Sequence, residues 1–413
     1  MAADAGRARR AFTYDVVGYH GGDLGIALAT RSTVEALRGS GREARLVTVG
    51  RPDVVNPARV PRTDPARGIT LFEMNPLDIA VLGRQWRGAV EPDAPAACVP
   101  FWELPRLPRA WLPVLGAMQA ILAPTRFVED ACRASLPGAQ VLHYPQAVFP
   151  PASVRSARAD WGIADGVTAF LVAFDVGSDI ERKNPWAAVS AFQAAFSSGT
   201  DRVELILKVT PREHLPEYRE QLAELRGRVG SDARIRVVDR WLGYEEVLGL
   251  YASCDVMVSL HRAEGLGLHL MEAMSLGKPV VATGWSGNMD FMALDNSVPV
   301  GCRLVPVASR HVAYREEAGR EGQVWAEPDP REAVEVLRAL HMSPERRRRI
   351  GAAAARAMDA RRAEMRNGLV FDELERVLGT ARVRAGRLRR AAARSLAYLV
   401  WRKARSLARR ETR

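Results

Sequence analysis

Three short stretches hold the residues best suited to chemistry. The first runs Glu264-Gly265-Leu266-Gly267-Leu268-His269-Leu270-Met271-Glu272, with two carboxylates eight positions apart around a pair of glycines. Gly265 and Gly267 allow close backbone approach, so a helix that starts after them can turn its free N–H groups toward an anion. An ordinary strand-to-helix turn with two surface glutamates has the same spacing, and both readings stand at this level. The second stretch is Glu181-Arg182-Lys183-Asn184-Pro185, placed where the strand-like TAFLVAFDV hands over to a helix. Cations in such a handover reach a bound phosphate, and Lys208, near the end of VELILKV, is a third candidate. A solvated basic pair is the alternative, although the dipole at a helix start disfavours positive charge. The third stretch, Thr283-Gly284-Trp285-Ser286-Gly287-Asn288, suits a loop that wraps a polar ligand, or simply a tight turn. Toward the N-terminus, GYHGGDLG offers Gly22, Asp23 and Gly25, and FWELP offers Glu103. Asp23 and Glu103 fit ligand contact and cap or core hydrogen bonding equally, as do His20 and His143.

Elements that could position these groups alternate along the chain. TYDVVGYH, RLVTV, ITLFEMN, AACVPFWE and AILAP read as strands, with helical or irregular segments between them. The pattern stops in YPQAVFPPASVR, then restarts with TAFLVAFDV, VELILKV, RIRVVD, DVMVSL and PVVATG. Short apolar runs alternating with helices point to parallel sheets covered on both faces. Two doubly wound α/β domains are therefore expected, residues 1–150 and 151–379, with a basic amphipathic helix over 380–413. Ligands of such sheets bind at the carboxyl ends of strands. Ser343-Pro344 reads as a helix N-cap and first helical residue, making Arg346–Arg349 a solvated face.

Composition removes several classes. Of 413 residues, 47% are apolar, which rules out disorder and permits more than one core. Cys98, Cys132, Cys254 and Cys302 form no Cys-x-x-Cys pair, so neither a zinc site nor a redox pair is indicated, and a reducing cytoplasm fits. No signal peptide and no span of roughly 18 apolar residues is present, so the protein is expected to be soluble. The 59 basic residues exceed the 48 acidic ones by 11, and residues 380–413 alone carry 12 basic residues against Glu411. The rest of the chain is balanced, which disfavours a nucleic-acid surface, and the tail carries no aromatic platform interleaved with its charges. On a helical wheel Leu388, Ala392, Leu396, Leu399, Val400 and Leu407 share one side of the tail, opposite most of its arginines. Such a helix lies on an anionic membrane, or docks its apolar side on the second domain. The dehydrogenase fingerprint G-x-G-x-x-G is missing, since Gly21, Gly22 and Gly25 do not fit its spacing.

Taken in order, the basic pair and HRAEGLGLHLMEAMSLGKPVVATGWSGN resemble the retaining glycosyltransferases of family 4, which have the GT-B fold. Glu264 and Glu272 match that family's E-x7-E motif, and Arg182 and Lys183 its phosphate-binding cations. RWLGYEEVLGLYASCDVMVSLHRAEG is similar to the nucleotide-base loop and the strand before the motif. WAEPD, FWELP and GYHGGDLG are similar to segments of one bacterial subgroup. The resemblance is strong over 165–335, looser over 13–150, and does not reach the tail; Leu266 stands where Phe is usual, and His269 adds an imidazole.

The resemblance implies an enzyme that moves a sugar from a nucleoside-diphosphate donor to a glycan, glycolipid or small-molecule acceptor, with retention. The N-terminal domain would bind the acceptor through a cleft loop with Gly22, Asp23, Gly25 and Glu103, and the C-terminal domain the donor. Arg182, Lys183 and Glu264 would be catalytic. Gly265, Leu266, Gly267, Leu268, Glu272, Trp241 and Lys208 would line the donor, with Glu264 on sugar hydroxyls, Glu272 on the ribose and Trp241 by the base. No cofactor and no metal is expected, because Asp-x-Asp is absent and the two cations with loop amides can stabilise the leaving diphosphate. A nucleotide-sugar epimerase of this fold and a non-catalytic binding subunit are the alternatives. The expected location is the cytoplasm, with the tail able to hold the inner membrane face.

Overall fold

The computed structural model describes residues 12–19, 25–49, 68–85, 95–215, 217–380 and 387–411, with backbone alone at 82–85, 380, 389 and 401–411. Two compact units form: Met1–Phe101 with Leu107–Gln146 and Ala363–Arg413, and Trp102–Arg106 with Ala147–Arg362.

In the first unit β1 (Thr13–Tyr19), α1 (Gly25–Gly39), β2 (Glu43–Val49), β3 (Gly68–Phe72), α2 (Pro76–Gln85), β4 (Ala96–Cys98), α3 (Leu112–Leu115), β5 (Ala120–Ala123), α4 (Arg126–Ser135) and β6 (Val141–His143) follow one another. The strands are all parallel in the order β2-β1-β3-β4-β5-β6. β3 and β5 are buried along their whole length, as parallel strands covered on both faces are, whereas edge strand β2 alternates buried and exposed residues. Thr125 caps α4, its Oγ1 accepting from Val128 N.

The second unit holds β7 (Thr168–Asp175), α5 (Ile180–Lys183), α6 (Pro185–Ala195), β8 (Val203–Thr210), α7 (Tyr218–Val229), β9 (Ile235–Val238), α8 (Tyr244–Ser253), β10 (Val256–Ser259), α9 (Leu268–Ser275), β11 (Val280–Thr283) and β12 (Val298–Val300). Their order, β12-β11-β10-β7-β8-β9, is parallel throughout. It reverses between β7 and β10, where a doubly wound sheet opens a crevice at its strand ends. Phe170, Phe192 and Phe196 meet edge-on or tilted under α6 and fill the core. An antiparallel ribbon that the apolar pattern did not announce, β13 (Cys302–Pro306) with β14 (Val324–Pro328), leads into α10 (Pro330–Met342). Asp329 of WAEPD caps α10, accepting from Arg331 N and Glu332 N. Ser343 Oγ accepts from Arg346 N at the start of α11 (Pro344–Arg366), as expected. Both units are Rossmann-like, and the α/β class expected from the sequence is the one observed.

The domain limits differ from those read in the sequence. The first boundary falls between Gln146 and Ala147, but the chain from Ala363, with α12 (Leu369–Thr380) and α13 (Arg387–Glu411), belongs to the first unit. Phe371 packs on Tyr14 and Tyr144, and Arg42 pairs with Asp372 and Glu375 at 2.7 Å each. Helix α13 lies on α2 and α3 of the same unit rather than on the second domain. Ala391, Ala392 and Ser395 are buried there and Leu388, Leu396 and Leu399 half-buried, whereas Val400 is 71% exposed. The Leu407 side chain lies outside the described residues.

Candidate active site

Chain direction after β7 is controlled by two residues with positive φ. Asp179 (φ 70°) accepts from Glu181 N at 3.0 Å and starts α5, and its other oxygen accepts from the Ser309 hydroxyl at 2.6 Å. Asn184 (φ 49°) ends α5 after one turn, with Nδ2 donating to Leu260 O at 3.0 Å. A residue before proline avoids the right-handed helical region, and asparagine tolerates the left-handed one. Arg182 and Lys183 therefore stand in the single turn of α5, directly before α6 opens with Asn184 as its N-cap, so the pair lies at a strand-to-helix handover as the sequence suggested.

Arg182 is buried to 3% exposure. It donates to Ala263 O at 2.7 Å and to Ser178 O at 2.9 Å, and approaches Glu264 at 3.4 Å. Lys183 pairs directly with Glu264 Oε1. Backbone stitches this corner as well, since Arg262 N donates to Arg182 O at 2.7 Å. The loop after β10 is equally constrained. A Cβ on Gly265 would fall 2.7 Å from Trp102 O, and Gly267 takes φ 89° before α9 begins, so neither position accommodates a side chain at low cost. The loop of the third sequence stretch works as a brace: Ser286 Oγ accepts from Glu264 N at 2.8 Å, and Asn288 holds His261 at 3.1 Å.

Charge follows from these contacts. Burial alone would oppose ionisation of Glu264, but Lys183 and Arg182 outweigh it and hold the carboxyl well below its usual range. Burial pulls the Lys183 ammonium down, and Arg182 adds to that. Two buried cations around one carboxylate form a corner that can exchange its internal partner for a ligand anion. Glu272 lies on α9 in a different environment. Burial pushes its carboxyl up to about 7, Tyr244 is its hydrogen-bond partner, and Oε1 is buried without any.

Of the other sequence candidates, Glu103 also reaches this corner. Glu103 was expected on an N-terminal cleft loop, but Trp102–Arg106 folds with the second unit. Its carboxylate accepts from Tyr314 OH at 2.8 Å and stands 3.9 Å from Arg182. Leu266 is buried and Leu268 half-buried. Lys208 is buried in β8, donating to Thr210 Oγ1 at 2.7 Å. Trp241 is 57% exposed after β9, with Arg212 over its ring at 5.7 Å. Gly25 opens α1; Gly22, Asp23 and His20 lie outside the described residues. Sequence reasoning missed Tyr314, Asp179 and Ser259, none of which has a spacing signal; their roles come from tertiary contact.

Buried cations and a glycine loop meet at the strand-order reversal, the place where doubly wound sheets bind their ligands. Residues 176–296, which contain this corner, match the family model described as Glycosyl transferases group 1. A search of curated protein sequences gave no match. Among solved structures, sucrose-phosphate synthase from Thermosynechococcus elongatus is similar with TM-score 0.60 and 13% identity, over 88% of this chain and 99% of that one. A structure described as trehalose-6-phosphate from E. coli bound with UDP-2-fluoro glucose is similar with TM-score 0.59 and 13% identity, over 89% and 99%. HepE from Anabaena, in complex with UDP and glucose, is similar with TM-score 0.57 and 14% identity, over 88% and 100%. The fold is that of GT-B glycosyltransferases, and with the matched domain it marks the chain as an enzyme of the glycosyltransferase class.

Proposed function

We propose that the protein is a retaining, metal-independent glycosyltransferase that takes a sugar from a nucleoside-diphosphate donor and places it on a glycan, glycolipid or small-molecule acceptor. The observation that carries this reading is the corner of Arg182, Lys183 and Glu264 at the β7/β10 switch point. As the bond between sugar and diphosphate breaks, negative charge grows on the leaving oxygen. Lys183, already buried and oriented, stabilises it when a phosphate replaces Glu264 as its partner. Glu264, released from Lys183 but still beside Arg182, accepts from hydroxyls of the donor sugar. Glu272 Oε1, buried and unpartnered, accepts from the ribose. Structures of similar fold hold UDP or a UDP-sugar, which makes UDP-sugars the first donors to try. The test is release of nucleoside diphosphate from a nucleotide-sugar panel in excess EDTA, with product configuration read by NMR. Retention without added metal supports the reading; inversion, or a strict metal requirement, refutes it.

The same proposal places the enzyme at a membrane where a lipid-linked acceptor is found. Helix α13 buries small residues on α2 and α3 and exposes Arg387, Arg390 and Arg394 alongside Ala393, Ala397 and Val400. Arg387, Arg390 and Arg394 line a groove of about 630 Å³ with Pro113, Gly116 and Ala117. Basic side chains near an anionic surface contribute about 1 kcal/mol each.

A further inference from the structure

His269 occupies the second position of α9, half-buried beside the corner, and a hydrogen-bond chain behind it determines its protonation. Asn288 Nδ2 donates to Thr283 O at 2.9 Å, which leaves Asn288 Oδ1 as the acceptor facing His261 Nε2 at 3.1 Å. His261 is therefore the Nε2–H tautomer, and its Nδ1 accepts from the Ser259 hydroxyl at 2.9 Å. With its proton committed to His261, Ser259 Oγ can only accept from His269 Nε2, 3.4 Å away. His269 must then carry its proton on Nε2 and its lone pair on Nδ1, and Nδ1 finds no partner among the described residues.

We propose that His269 is a specificity-determining residue whose Nδ1 accepts a hydrogen bond from a hydroxyl of the donor sugar, with Ser259, His261 and Asn288 as the positioning residues that hold this tautomer. The inference rests on the donor reading above. A lone pair repels phosphate oxygens and attracts a hydroxyl, so the ligand group selected here is the sugar rather than the diphosphate. Both imidazoles stay neutral at working pH, because burial pushes His261 down to about 4 and His269 to about 3, with Lys183 adding to the effect at His269.

Two measurements on the full chain test this. Long-range ¹H–¹⁵N spectra of histidine-labelled protein, assigned with His261→Gln and His269→Gln, should show neutral Nε2–H patterns for both residues at pH 7. Ser259→Ala should let His269 average between tautomers. A His269 imidazolium, or an Nδ1–H tautomer in the wild type, overturns the proposal. Calorimetric titration then compares UDP and GDP with UDP-glucose and GDP-mannose. His269→Leu should leave the affinity for the free nucleotides unchanged and weaken the nucleotide sugar that binds best by about five- to tenfold, the scale of one neutral hydrogen bond. His269→Gln, which keeps an acceptor, should recover part of the loss. Equal losses for nucleotide and nucleotide sugar, or none, refute the role of His269 while the donor reading survives. A wild type that binds none of the four refutes both.

Discussion

At the residue scale, the second unit treats its two glutamates in opposite ways. Glu264 is ionised by Lys183 and Arg182, whereas burial pushes Glu272 up to about 7 with Oε1 unpartnered. Because its folded value lies above the unfolded one, Glu272 contributes stability in full below about pH 4.5 and loses it as pH rises through about 7. Above that pH the cost is on the order of 3 kcal/mol. Glu272→Gln keeps an acceptor for Tyr244 and removes the titration, so the variant should melt with the wild type at pH 4.5 and higher at pH 8. Glu73 in the first unit obeys the same sign. It is fully buried, accepts from Thr33 Oγ1 at 2.5 Å, and is pushed up to about 7 by burial. Glu73→Gln should flatten the remaining pH dependence without changing nucleotide affinity. Thermal melts at pH 4.5 and pH 8 check both; parallel shifts at the two pH values would contradict the assignment. The E-x7-E pair was legible as a spacing, but the spacing carried no hint that one member is held charged and the other is pushed up to titrate about neutral pH. That difference comes from Arg182 and Lys183, 81 residues away for Lys183 and Glu264.

At the element scale, the site depends on how two strands end. The loop after β7 bends at Asp179 and Asn184, and the loop after β10 at Gly265 and Gly267. Gly265→Ala would drive its Cβ against Trp102 O, backbone that cannot rotate away. The loop must shift, carrying Glu264 with it. Turnover should fall by roughly 10²-fold, as a displacement near 1 Å does in a preorganised site, while the far-ultraviolet circular dichroism stays that of the wild type. Wild-type turnover in this variant would mean that the loop is not held against Trp102. The strand pattern and most helices could be read from apolar runs and caps such as Ser343-Pro344. Two features could not. Parallel strands buried on both faces say nothing about their order, so the switch point between β7 and β10 emerged only with the sheet. FWELP reads as part of the first domain by sequence position, yet its Trp102 stacks on Tyr314 in the second unit.

At the scale of the whole molecule, charge is distributed as the sequence arithmetic showed, but its carrier is integrated rather than appended. Helix α13 covers α2 and α3, so deleting it would strip that surface and confuse unfolding with loss of binding. Replacing Arg387, Arg390 and Arg394 together by Gln is the cleaner change. Wild-type protein should sediment with anionic vesicles at low salt, and the triple variant should lose at least tenfold in vesicle affinity, since three arginines near such a surface are worth about 3 kcal/mol. Equal sedimentation would remove the membrane from the account and leave the helix as cover for the first unit alone. The tail's amphipathic pattern was legible; which surface its apolar side would choose was not, because small residues such as Ala391 and Ala392 pack equally well on many helices.

The most direct test of the central claim is the rate of nucleoside-diphosphate release from a nucleotide-sugar panel in EDTA, compared between wild type and Lys183→Ala. Lys183 is the informative position, because Arg182 also braces Ala263 O and Ser178 O and its loss would disturb the loop itself. The wild type should turn over at least one donor, and Lys183→Ala should be slower by about 10²–10³-fold with its fold intact, the cost of removing one preorganised charge-stabilising donor. Equal rates in the two proteins would contradict the claim that the Arg182–Lys183–Glu264 corner stabilises the leaving diphosphate.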